Sequence, residues 1–149
     1  MNKQQIIAAM FTVAIAFAED VDHGFCNDPD YQCTLYSEKD FQGDYYTFCL
    51  PSNFWGERFQ NVGYSFRSTH TYGDFTDMSL SSFQCGAKVK ADFCQGRISS
   101  EFNTEELRTD WTCGSTLYST DGFGDELADM GDFDNLANGL VLHSALPDP

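Results

Sequence analysis

Residues 33–44, Cys33-Thr34-Leu35-Tyr36-Ser37-Glu38-Lys39-Asp40-Phe41-Gln42-Gly43-Asp44, decide how the chain folds. Tyr36 and Phe41 are five positions apart, and their rings meet only if the loop between them bends back over its own strand. Gly43 supplies a position where positive φ is cheap, as such a bend needs. Further on, Ser81 and Ser82 open a strand, and a hydroxyl there can bond the folded loop. A second copy follows: Thr116-Leu117-Tyr118-Ser119, then Phe123, Gly124 and Asp125, with the same Tyr-x4-Phe spacing. Gly73-Asp74-Phe75 is likewise matched by Gly131-Asp132-Phe133. Each copy runs hairpin, variable stretch, Gly-Asp-Phe, strand. Two such units, each unable to bury its apolar face alone, are expected to pack on each other.

The remaining pattern agrees. Short apolar runs broken by Gly, Asp and Asn predict strands at Cys33–Tyr36, Tyr45–Leu50, Leu80–Cys85, Lys88–Phe93, Ser115–Ser119 and Leu140–His143. Helical periodicity is confined to Asn103–Arg108, where Asn103 can cap a turn or two. With no crossover helices for a parallel sheet, the expectation is an all-β sandwich.

At this point the sequence resembles the beta/gamma-crystallin Greek-key family, whose motif is an aromatic, six residues, a glycine, and later a serine opening the fourth strand. Tyr36, Gly43 and Ser82 fit the first motif. In the second half Gly124 comes one residue early, Asp125 takes the glycine position, and Asn138 and Gly139 stand where serines are usual. The resemblance implies a disulfide-bonded sandwich of two Greek keys over residues 33–149. Motif 1 would span about 33–86 and motif 2 about 115–145, with 87–114 an insertion. An alternative start for motif 2 is Lys88-Val89-Lys90-Ala91-Asp92-Phe93.

Domains resembling this one often bind calcium through an (Asn/Asp)-(Asn/Asp)-x-x-(Ser/Thr)-Ser segment, completed by carbonyls from the other motif's hairpin. Calcium takes 6–8 such hard oxygens. Asp77-Met78-Ser79-Leu80-Ser81-Ser82 matches at all defined positions but Met78. The resemblance implies that Ser81 gives its hydroxyl, Asp77 orients the loop, and Asp121 or its neighbours cross over. A second, degraded site would use Asp134 and Asn135, without the serines. The alternative is that Ser81 and Ser82 only satisfy the folded hairpin. The six acids between Asp121 and Asp134 lack EF-hand spacing. They read either as a solvated loop or as a low-affinity calcium buffer.

Composition limits the rest. The chain has 149 residues, 23 acidic against 8 basic, a net charge of −15, and 15% aromatics. A skin this negative repels nucleic-acid backbones and attracts divalent cations or basic proteins. Lys3, the 12-residue run Ile6–Phe17 and Ala16-Phe17-Ala18 form a secretory leader over 1–18, followed by an extension over 19–32. The run is too short to span a bilayer, which takes about 20 apolar residues. All six cysteines follow the leader, and none forms C-x-x-C, so disulfides rather than zinc are expected. A hairpin centred near Phe41 would set Cys33 opposite Cys49; the alternative bonds Cys33 to Cys26. No N-glycosylation sequon occurs.

Catalytic motifs are missing. His23, His70 and His143 form no H-E-x-x-H, and neither G-x-S-x-G nor a P-loop occurs. Phe54, Trp55, Phe59, Tyr64 and Phe66 read as core and sheet cover, or else as an exposed binding patch. The role expected is a secreted, non-catalytic, calcium-responsive structural or cargo protein, partnered by calcium and by other granule or extracellular proteins. Proteins resembling it occur in secretory granules of ciliates. The alternative is a secreted protease inhibitor or antimicrobial toxin presenting residues 95–112 as a rigid loop.

Overall fold

The computed structural model describes residues 22–57, 60–66, 80–103 and 108–145. Eight strands run in order: β1 (Gln32–Glu38), β2 (Gln42–Cys49), β3 (Asn61–Ser65), β4 (Ser82–Cys85), β5 (Val89–Asn103), β6 (Arg108–Ser119), β7 (Glu126–Leu127) and β8 (Gly139–Ser144). They form two four-stranded sheets, ordered β2-β1-β4-β7 and β3-β8-β5-β6, and every pairing is antiparallel. Each sheet takes three strands from one half of the chain and one from the other: β3 leaves the first half and β7 leaves the second. The fold is therefore the two-Greek-key β-sandwich that the crystallin resemblance implies, and the exchanged strands lock the halves together. Among the described residues there is no α-helix, only three single 3-10 turns.

The core lies between the sheets and follows strand alternation. Cys33 and Leu35 point inward from β1, Phe83 and Cys85 from β4, Val89, Ala91 and Phe93 from β5, and Leu140 and Leu142 from β8. Phe48, Leu50, Phe66, Leu80, Met130 and Ala137 complete it. Fully burying one such side chain stabilises by about 1.5–3 kcal/mol.

The first arch forms as the sequence implies. The Tyr36 and Phe41 rings meet edge to face, with centroids 5.8 Å apart. Asp40 and Phe41 both hold left-handed φ, 59° and 60°, and Gly43 lies at 82°. Two non-glycine residues in that region are strained. Ser82 offsets the strain: its hydroxyl donates to Glu38 O at 2.6 Å and accepts from Phe41 N at 3.1 Å.

The second half departs from the expected repeat. Tyr118, next to last in β6, packs on Phe83, Phe93 and Phe133, not on Phe123. Phe123 is 84% exposed, on a turn with positive φ at Gly122 and Gly124. The Asp125 carboxylate ties that turn by accepting from Asp121 N and Gly122 N. The counterpart of β1 is β5, which starts at Val89 in the alternative position read from sequence. The stretch 87–114, read as an insertion, supplies β5 and much of β6.

The described part of 95–112, read as a rigid loop, is likewise strand. Apart from 104–107, which lie outside the described residues, its residues pair as an antiparallel ribbon. Asn103 and Arg108, read as the ends of a helical turn, pair across it. Register shifts between Phe93 and Cys94 and between Gln95 and Ile98 bend the ribbon back over the outer face of its own sheet. Gly139 of β8 faces Ile98, and Gly63 of β3 faces the Trp111 ring, where a side chain would collide. The Asn61 carboxamide grips the Trp111 main chain at both ends, donating to its O at 3.0 Å and accepting from its N at 2.9 Å. Val141 points outward between core residues Leu140 and Leu142, yet is 3% exposed.

The disulfides are Cys26–Cys49, Cys33–Cys85 and Cys94–Cys113. Neither pairing considered for Cys33 occurs. Cys33 is registered with Phe48, and Gln32 with Cys49, so Cys49 faces the opposite side of the sheet. On the inner face Cys33 meets Cys85 of β4. Among the described residues, no helix is long and apolar enough to cross a membrane.

Candidate metal centre

Two adjacent serines, Ser81 just before β4 and Ser82 at its start, are used differently by the sandwich. Ser82 is fully buried, and its hydroxyl is occupied by the first arch. The main chain of Ser81 is fixed on both sides: its N donates to Tyr36 O at 2.9 Å, and its O accepts from Met130 N at 3.1 Å. Its side chain turns across to the second half and donates to Asn135 Oδ1 at 3.4 Å.

The facing segment is Asp134–Asn138. Asn135 takes left-handed φ of 59°, and its N donates to Leu80 O at 2.9 Å, which fixes the turn against the start of β4. Asn138 is anchored by N donating to Cys94 O at 2.9 Å and by O accepting from Phe66 N at 3.1 Å. Among the described residues, two buried side-chain atoms lack a hydrogen-bond partner: Asp134 Oδ1 and Asn138 Oδ1. Both are oxygens, and both belong to this one segment. Asp134 Oδ2 accepts from Asn135 Nδ2 at 3.3 Å, which leaves Oδ1 as the orphan. A buried acceptor left unsatisfied costs about 1–3 kcal/mol, so a water or a cation is needed there.

The donors are all hard oxygens: one carboxylate, two carboxamides and one hydroxyl. That set suits calcium, which binds carboxylate, amide and carbonyl oxygens, and does not suit zinc. Among the described residues no three His, Cys, Asp or Glu side chains gather as a metal cluster. A calcium ion here would depend on amide, hydroxyl and main-chain oxygens beside the one carboxylate. Asp129, bound to Lys39 at 3.6 Å, and Asp132 add negative potential in the same turn.

The sequence-predicted residues separate accordingly. Ser81, Asp134 and Asn135 come together. Ser82 sits beside them but serves the arch. Asp121 belongs to a different turn, whose Gly122 abuts Lys90 and Ala145. Asp77 lies outside the described residues. Asn138 was missed, although it occupies the Ser/Thr position of the Asp134-Asn135-Leu136-Ala137-Asn138-Gly139 segment. A carboxamide oxygen there can ligate a hard cation as a hydroxyl oxygen does, and that was the available signal.

A second polar group lies on the outer face of the other sheet. Asp92 accepts from Ser119 Oγ at 2.6 Å and lies 3.9 Å from His143 Nε2. Burial pushes the His143 pKa below its ordinary value, Asp92 opposes that, and Lys90 adds to it. Asp92 bridges the other two, so no histidine stands between serine and carboxylate as a nucleophilic triad needs.

No family model matches the chain, and no curated protein matches it in sequence. Among solved structures it is similar to one described as "Evolution of the eye lens beta-gamma-crystallin domain fold". That structure is 16% identical, the match covers 80% of this chain and 92% of that one, and the TM-score is 0.49. It is also similar to the N-terminal domain of protein S, at 16% identity, covering 78% and 99% of the two chains with a TM-score of 0.43.

Proposed function

We propose that this chain is a secreted, non-catalytic structural or granule-cargo protein whose crystallin-type sandwich is tightened by calcium at the Asp134–Asn138 turn. The observation that carries the reading is the pair of orphaned buried oxygens in one segment, Asp134 Oδ1 and Asn138 Oδ1, of which Asp134 adjoins the Ser81–Asn135 contact through Asn135 Nδ2. An ion in this turn would join the second half of the chain, through Asp134 and Asn138, to the first half, through Ser81. Calcium supplies charge neutralisation and coordination there. Ser81, Asp134, Asn135 and Asn138 would hold it, and the main-chain bonds to Leu80, Cys94 and Phe66 orient Asn135 and Asn138.

The role follows from energetics. With Kd about 10⁻⁴ M, as in weak extracellular sites, ion at about 10 mM adds roughly 2.7 kcal/mol. That is a large share of a small domain's margin of about 5–15 kcal/mol. Three disulfides and the acidic skin suit a calcium-rich, oxidising compartment such as a secretory granule.

The test is a melting curve of the oxidised protein with calcium and with chelator, repeated for Asp134→Asn and Ser81→Ala. The expected result is a calcium-dependent rise of roughly 5–10 °C in the wild type, reduced in Ser81→Ala and abolished in Asp134→Asn. No rise at about 10 mM calcium, or a rise that survives Asp134→Asn, contradicts the proposal.

A further inference from the structure

At one end of the sandwich the N-terminal segment and the turn after β2 form a cleft of about 130 Å3. Its walls include Phe25, Asp28, Tyr31, Leu50, Pro51 and Trp55. Tyr31 and Trp55 stack in parallel, with centroids 4.4 Å apart and planes within 8°. Trp55 Nε1 donates to Leu50 O at 2.8 Å, so the indole is held in place. Phe25 stands 85% exposed at the rim. It is not on a loose tail: the adjoining Cys26 is bonded to Cys49, and His23 O accepts from Thr47 N at 2.7 Å.

Among the described residues, the charge around the cleft is mainly negative. The segments that build it, 22–31 and 49–57, carry Asp22, Asp28, Asp30 and Glu57 and no Lys or Arg. The neighbouring cation, Lys88, lies over the Tyr31 ring at 5.8 Å and 3.8 Å from Asp30. This end of the molecule thus already holds one cation between an aromatic face and a carboxylate. The cleft repeats those ingredients beside it, with Phe25 and Trp55 as the aromatic surfaces and Asp28 as the carboxylate.

We infer that this cleft is a docking site for an arginine side chain presented by a basic protein or peptide. Two features select that occupant. The volume, roughly four waters' worth of liquid, suits a side chain and not a whole ligand of drug size. A guanidinium is planar, stacks on aromatic rings and forks to a carboxylate, whereas a lysine ammonium offers only a point charge. The net charge of −15 steers basic partners toward the molecule, and the cleft gives them a place to anchor. The inference is independent of the calcium reading.

The test is a titration of the full oxidised chain, in chelator, with end-capped Gly-Arg-Gly, Gly-Lys-Gly and Gly-Glu-Gly, followed by NMR chemical shifts. Two variants leave the fold undisturbed: Phe25→Ala removes an exposed ring, and Asp28→Asn keeps a side chain that caps a turn equally well. The arginine peptide is expected to shift resonances of Phe25, Tyr31 and Trp55 saturably. Its affinity should fall about threefold or more in each variant, and the lysine peptide should bind more weakly. Absent cleft shifts, equal binding of the glutamate or lysine peptide, or affinity unchanged in both variants would each overturn the inference.

Discussion

Ser82 shows how much one hydroxyl decides. It bonds both Glu38 O and Phe41 N, and so holds two non-glycine residues at positive φ. Ser82→Ala leaves the Phe41 N–H without its partner, and a loss of about 1–3 kcal/mol is expected in denaturant unfolding. His143 makes a pH prediction. Its pKa is lowered in the folded state, so below about 6.5 the unfolded chain binds the extra proton. Its contribution to stability is complete above that pH and falls as pH drops toward the folded pKa. Asp92, Lys90 and, across the sheet, Asn61 face it. His143→Gln should flatten the stability–pH curve between about 6.5 and the folded pKa, as read from urea melts at several pH values; a curve parallel to wild type would contradict this. Tyr36 and Tyr46, whose pKa values burial raises, act at the other extreme: they weaken the fold as pH rises past 10. The residues of the first arch were legible because Tyr36, Phe41, Gly43 and Ser82 each meet a local steric or hydrogen-bonding need. Asn138 was legible only as standing at the Ser/Thr position; its orphaned oxygen shows once Cys94 and Phe66 have fixed its main chain.

Among the elements, the β5–β6 ribbon departs furthest from what its sequence suggested. Tyr118-x4-Phe123 has the spacing of Tyr36-x4-Phe41, but spacing alone does not make an arch. Asp125 closes its own tight turn and sends Phe123 into solvent. β3 escaped notice because only Val62 and Tyr64 carry its alternation, and a central Gly63 weakens so short a strand signal. Its outer face lies under the ribbon, where Asn61 grips the Trp111 main chain as a neighbouring strand would. Asn61→Ala should lower amide exchange protection around Trp111 at least tenfold, roughly 1.4 kcal/mol, while Phe93 and Leu140 amides keep theirs. A uniform loss across the core would instead mark Asn61 as a general stability residue. Gly63→Val should displace the Trp111 ring and shift its fluorescence; an unchanged spectrum would contradict the close approach.

Over the whole molecule, alternation and turn residues were enough to indicate an all-β sandwich, while the disulfide map needed strand register. A one-residue offset between β1 and β2 moves Cys49 to the opposite face and assigns Cys33 to Cys85. That bond ties β1 to β4 across 52 residues of sequence. A loop of this length corresponds to roughly 4 kcal/mol in the chain-entropy account. Cys33→Ala with Cys85→Ala should therefore lower stability by about 2–4 kcal/mol while leaving the other two bonds formed, as mass spectrometry of the oxidised protein would report. The proposed calcium would act at the same scale, joining the two halves at the Asp134–Asn138 turn. The most direct test of that claim is a crystal structure at about 10 mM calcium, with data collected for the anomalous signal of the ion. The account predicts an anomalous peak about 2.3–2.6 Å from Asp134 Oδ1 and Asn138 Oδ1. An ordered water at that position without anomalous signal, or calcium bound only elsewhere, would contradict it.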